Sequence, residues 1–280
     1  MSPHPDSRPG RRLGPGEIAE VALPGIGHRY DVHADEGDVS VIIHHSGRRA
    51  LYVLAGASPG PVELSTYAHE YHHALQDQRF DLDALSEAVK DNRDTSMALS
   101  TLIEGDAVFT QAQYIAQELG PSGALALLGA ASAAPRTPVP PVLMDMLQFP
   151  YVQGLSFVQT LSSAGGIAAV DAAFARPPDS TEQVLHPEKF RNREAPVAVA
   201  LAPRLPEGWT VVGAPEGNVL GEYLIRRWLR EVGLQAPSAQ TVSTGWGGDR
   251  YVVTEGPGGS HSLIARIAWD TSADADAFVA

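Results

Sequence analysis

Cysteine is absent from the 280-residue chain. That excludes disulfides, a cysteine nucleophile and any thiolate-bound metal, and it leaves the redox compartment open. Basic residues are scarce as well: 20 Lys and Arg stand against 33 Asp and Glu, a net charge of −13. The basic cluster Arg8, Arg11 and Arg12 lies in a Pro- and Gly-rich opening stretch, and with that net charge no nucleic-acid partner is expected. Long apolar runs are missing too. No segment approaches the ~18 consecutive apolar residues of a membrane helix. The most apolar run, Gly123 to Ala134, is short and Ala/Gly-rich, and prolines follow it. The N-terminus carries no apolar core of a signal peptide. The expectation is a chain with no membrane segment, cytoplasmic by default and extracytoplasmic if an export segment precedes it. What remains is a globular composition, 44% hydrophobic and 19% charged.

Against that background one stretch carries chemistry. His69-Glu70-Tyr71-His72-His73 is an H-E-x-x-H pattern. On a helix, residues four apart lie one turn above each other, so His69 and His73 can offer ring nitrogens to one metal ion. Glu70 can then act as general base toward a water at that metal. The segment reads as a helix: Gly60 as cap, Pro61 at the first helical position, and no breaker before Phe80. Leu64, Ala68, Tyr71 and Leu75 are expected to form an apolar face opposite the histidines. His72 is expected to line a cleft.

A catalytic zinc takes three protein ligands and leaves one position open. Without cysteine, the third must be His, Asp or Glu. Asp94 or Thr95 is expected to cap a second long helix ending near Leu119, and Glu104 lies on it in an apolar stripe with Val108 and Ile115. A carboxylate there needs a cation, which a metal or an arginine could supply, or backbone donors. Gly105 beside it permits close approach of another helix. Asp106 points ~200° away on the same helix by the helical count.

Elsewhere the chain reads as a flexible tail over 1–16, then a single domain over 17–280. Within it, 17–57 carries a β-hairpin around Ser46-Gly47-Arg48-Arg49, 58–200 a helical core and 201–280 an α+β segment. Gly165-Gly166 should break a helix, and Ser180 should cap a short one. Leu224, Trp228 and Val232 are expected to form the apolar side of a helix at 221–232. A hairpin should turn at Gly256-Pro257-Gly258-Gly259.

His69, Glu70, His73 and Glu104 together resemble the gluzincin group of zinc metallopeptidases, in which H-E-x-x-H on one helix is completed by a Glu from a later helix. More narrowly, the chain looks like an uncharacterised bacterial gluzincin-like family. The shared stretches are His69 to Gln78, Glu104 to Ala107, Phe149 to Gly154, Ser180 to Lys189 and Gly245 to Arg250. The resemblance implies an α+β fold with a mainly helical zincin-like core, Zn²⁺ as cofactor, and a peptide or protein substrate bound beside the strand at Leu51 to Val53. It also implies a second-shell role for Asp77. For the oxyanion of carbonyl attack a nearby donor is needed, and His186, Tyr151 and Arg250 stand in that order. His186 could equally be a hydrogen-bonded structural histidine. Two other readings share the same residues: a non-catalytic metal-binding protein and a zinc hydrolase of a non-peptide amide.

Overall fold

A computed structural model describes residues 59–133 and 140–280 and, as backbone, the strands within 18–53. The expected tail at 1–16 and most of the Pro-rich connector after Ala133 lie outside the described residues. Contacts divide the chain into two compact units: residues 1–85 with 106–138, and residues 86–105 with 139–280. The division passes through two continuous helices, α2 (Leu82–Val89) and α3 (Arg93–Tyr114).

In the first unit, β1 (Ile18–Ala22) pairs antiparallel with β2 (Arg29–His33), and β3 (Ile42–His45) with β4 (Ala50–Val53). The second pair is the hairpin expected around Ser46 to Arg49. Helix α1 runs from Pro61 to Phe80. Its start follows from local chemistry: the proline gives up no needed N–H, and Glu63 Oε2 accepts the Gly60 N–H at 2.8 Å. It ends at Asp81, which takes the left-handed conformation (φ 54°) while its N–H bonds Asp77 O. Helix α3 is capped by Asn92, whose Oδ1 accepts from the N–H groups of Asp94 (3.1 Å) and Thr95 (3.2 Å). The expected cap, Asp94 or Thr95, was two or three residues too late, because Asp94 turns its carboxylate to Thr181 instead. After α3 the chain widens into a π-turn, Ile115–Leu119, and resumes at α4 (Gly120–Ala133).

The second unit begins with α5 (Pro141–Ala175), interrupted at Gly165 and at Gly166, whose φ is 67°. That is the break the glycine pair predicts. Ser180 Oγ caps α6 (Thr181–Leu185) by accepting the Gln183 N–H, as expected. Next come α7 (Pro187–Asn192), β5 (Thr210–Val212), α8 (Gly221–Glu231), α9 (Ala236–Ser243), β6 (Trp246–Gly256), β7 (Ser260–Trp269) and α10 (Ser272–Val279). The three strands form an antiparallel sheet in the order β5-β6-β7, with the β6–β7 turn at Pro257–Gly259. A core of Val219, Ile225, Leu229, Ala239 and Trp246 packs beside this sheet. On α8 the buried face differs from expectation. Glu222, Tyr223, Ile225, Arg227 and Leu229 point inward, whereas Trp228 and Val232 are more than half exposed.

The crossing of α3 with α5 is made backbone to backbone. A Cβ built on Gly105 would lie 2.3–2.5 Å from the C, O and Cα of Gly154, and one on Gly154 would lie 2.3 Å from Thr101 O. Only two glycines permit that approach. The fold is thus α+β and mostly helical. Among the described residues no helix is long and apolar enough to cross a membrane.

Candidate metal centre

Helix α1 places His69 and His73 one turn apart, both buried at 8% exposure. Their Nε2 atoms are 3.1 Å from each other and the rings stand edge to face. The buried residues of α1 are Ser65, His69, His73, Ala74 and Gln76, whereas Leu75 is 39% exposed. The histidine face is therefore the best covered, and not the apolar stripe that periodicity singles out. Polar side chains can be covered in this way when each finds a partner.

The register of α3 on this face is set by three hydrogen bonds. Asp106 Oδ2 accepts from Gln76 Nε2 at 2.9 Å and lies 2.7 Å from His72 Nε2; Gln111 Nε2 donates to Ser65 O at 3.0 Å. Two residues before Asp106 on the same helix, half-buried Glu104 brings a carboxylate oxygen to the histidines. One donor atom from each of His69, His73 and Glu104 lies within 4.8 Å of the others.

This donor set fits zinc chemically. Two nitrogens bound at ~2.0–2.1 Å in tetrahedral geometry stand about 3.3 Å apart. The observed 3.1 Å needs only a slight opening. His73 Nδ1 is 2.8 Å from Gln76 Oε1, which leaves Nε2 as the nitrogen facing His69.

Helical counting misses the role of Asp106. Despite its ~200° offset from Glu104, Asp106 contacts α1 through His72 and Gln76. Gln76 was legible in one respect, its i+3 position from His73 on a single helix. Glu70 is half-buried beside His69. The Asp77 carboxylate accepts from Leu82 N–H at 3.2 Å, which ties α1 to α2.

The remaining sequence candidates lie in the second unit. His186 Nε2 is 2.9 Å from Oε2 of the fully buried Glu222, and its Nδ1 is 3.8 Å from Glu188. The bond to Glu222 raises the imidazole pKa above its ordinary value, against the opposing effect of burial. Arg226 is also paired to Glu222. Tyr151, one turn before Gly154 on α5, is 43% exposed. Arg250 borders a cavity of about 350 Å³ with Asp94, Val197, Trp246 and Asp249, and none of the three proposed ligands lines it. A second carboxylate group, Glu182, Glu194 and Asp270, could in principle hold a cation. Lys189 Nζ already sits among those carboxylates, 2.7, 2.6 and 2.6 Å away respectively.

Comparison with protein families gives two partial matches. Residues 209–280, from the start of the C-terminal sheet to the end of the chain, match a domain of unknown function, DUF8575. Residues 17–66 match the N-terminal domain of the K(+)/H(+) antiporter subunit KhtT. Each covers well under half of the chain, and neither includes the histidine pair. No curated protein and no solved structure matches the chain.

Proposed function

We propose that the protein is a zinc-dependent hydrolase of peptide bonds with a zincin-like helical core, in which His69, His73 and Glu104 hold the metal and Glu70 is the general base. The observation that carries this reading is the convergence of two imidazole nitrogens and one carboxylate within 4.8 Å. Zinc held by such a set supplies Lewis acidity, polarising a carbonyl and lowering the pKa of water. The chain's own residues do the rest. Glu70 takes a proton on a carboxylate oxygen during attack and returns it to the leaving amine. For the oxyanion, Tyr151 is preferred over His186, because His186 Nε2 is engaged by buried Glu222. Asp77 steadies the end of the metal-binding helix through Leu82.

The test combines elemental analysis with hydrolysis of a mixed peptide library. The wild type is expected to hold one Zn²⁺ per chain, and the double variant His69→Ala/His73→Ala none. Glu104→Gln should bind more weakly, since a neutral amide replaces an anionic donor. Glu70→Gln should keep zinc and fold while hydrolysis drops by about 10²–10⁴. Stoichiometric zinc in the double histidine variant refutes the ligand assignment. Undiminished hydrolysis in Glu70→Gln moves the base elsewhere. Zinc without cleavage of any peptide in the wild type leaves a binding-only site or a non-peptide amide as substrate.

A further inference from the structure

We infer that Asp106 and Gln76 form a relay that fixes the tautomer of His73, so that Asp106 is a positioning residue for the metal site; the inference rests on the zinc reading for its consequence, though not for its geometry. The chain of contacts is short. His73 Nδ1 lies 2.8 Å from Gln76 Oε1, Gln76 Nε2 lies 2.9 Å from Asp106 Oδ2, and the same Oδ2 is 2.7 Å from His72 Nε2.

The direction of every bond follows from its far end. A carboxylate only accepts, so Gln76 must turn its NH₂ toward Asp106. Its carbonyl oxygen therefore faces His73, and a carbonyl also only accepts. The proton of neutral His73 must then sit on Nδ1, which leaves the lone pair on Nε2. That is the nitrogen aimed at His69 and available to a cation. With Gln76 reversed, His73 Nδ1 would have to accept, its proton would move to Nε2, and the residue could not ligate. Gln76 and His73 are both buried, which leaves little room for water to replace the relay. His72 Nε2, 2.7 Å from the same oxygen, is a second partner that holds the carboxylate in place.

The relay makes a prediction that mere packing does not. Asp106→Ala frees Gln76 to turn over. The double variant Gln76→Glu/Asp106→Asn restores the pattern with its charges exchanged: the new carboxylate accepts from His73 Nδ1–H, and the new amide donates to it. Two readouts apply. Long-range ¹⁵N NMR of the imidazoles in metal-free protein reports which His73 nitrogen carries the proton. Competition against a chromophoric chelator reports Zn²⁺ affinity.

Wild type is expected to show the proton on Nδ1. Asp106→Ala should show a tautomer mixture and zinc binding weaker by about 10–100-fold. The double variant should recover both. A His73 proton on Nε2 in the wild type overturns the relay, and this reading needs no variant to fold. An unchanged tautomer and unchanged affinity in Asp106→Ala overturn it as well. If wild type binds no zinc while the NMR pattern holds, the metal reading has failed and the relay has not.

Discussion

Replacing Gly105 by alanine tests how the helix that carries Glu104 is gauged. The added Cβ would meet Gly154 C, O and Cα at 2.3, 2.4 and 2.5 Å. Non-bonded carbons prefer about 3.5–4.0 Å, so α3 and α5 would have to part by about 1 Å or more. All three clashing atoms are backbone, and no rotamer change can relieve them. Overpacking that cannot relax belongs at the upper end of the usual range, about 3 kcal/mol. Alanine's better helix propensity returns about 1 kcal/mol. The net cost is about 2 kcal/mol, which lowers Tm by about 4–8 °C for a chain of this size. Urea titration followed by circular dichroism should show a lower midpoint at constant m. Gly129→Ala on α4 is the internal control. Its Cβ meets nothing within 4 Å, so it should be stabilising by about 0.4–1 kcal/mol. Gly154→Ala opens the same crossing, so its cost and that of Gly105→Ala should not add in the double variant. A Gly105→Ala protein as stable as Gly129→Ala refutes the reasoning.

Two further outcomes concern buried charge in the second unit. Burial pushes the Asp94 carboxyl up to about 8, against the opposing hydrogen bonds from Thr181. The folded state then holds a proton that the unfolded chain releases near pH 4. Stability from this group is complete below the unfolded pKa and falls by up to about 1.4 kcal/mol per pH unit as pH rises through the folded one. Asp94→Asn should flatten that decline between pH 5 and 8, measured by urea unfolding; identical pH slopes would falsify the shift. Lys189→Met strands Glu182, which is 1% exposed and whose carboxyl already sits at about 7 through burial. Breaking such a pair costs about 3–5 kcal/mol. The loss should be larger at pH 8 than at pH 5, and a stability unchanged at pH 8 speaks against the role given to Lys189.

Elements whose ends are written in local chemistry were legible from the chain itself. Pro61 at the first turn, Ser180 at the α6 cap, Gly165-Gly166 and the Gly256–Gly259 turn each constrain a few torsions regardless of what packs against them. What escaped depends on covering surfaces. A helical count gives the angle between two side chains and not which angle a neighbouring element will cover. For that reason α8 buries Ile225 and Leu229 and leaves Trp228 half out. Asn92 took the cap because Asp94 had a better use with Thr181, a residue 87 positions away. At the candidate metal centre the H-E-x-x-H spacing pointed to His69 and His73, and Glu104 was singled out as a carboxylate in an apolar stripe that also matches the gluzincin pattern. The Gln76–Asp106 contact joins residues 30 apart, and only the packing of α3 on α1 brings it into being.

The carboxylates around Lys189 also bear on metal economy. An intruding divalent ion would have to evict an ammonium that is covalently tethered to the same unit. A tethered group acts as a ligand at an effective concentration on the order of millimolar or higher, whatever the concentration of protein. Glu182, Glu194 and Asp270 are therefore held by an internal competitor that dilution cannot remove.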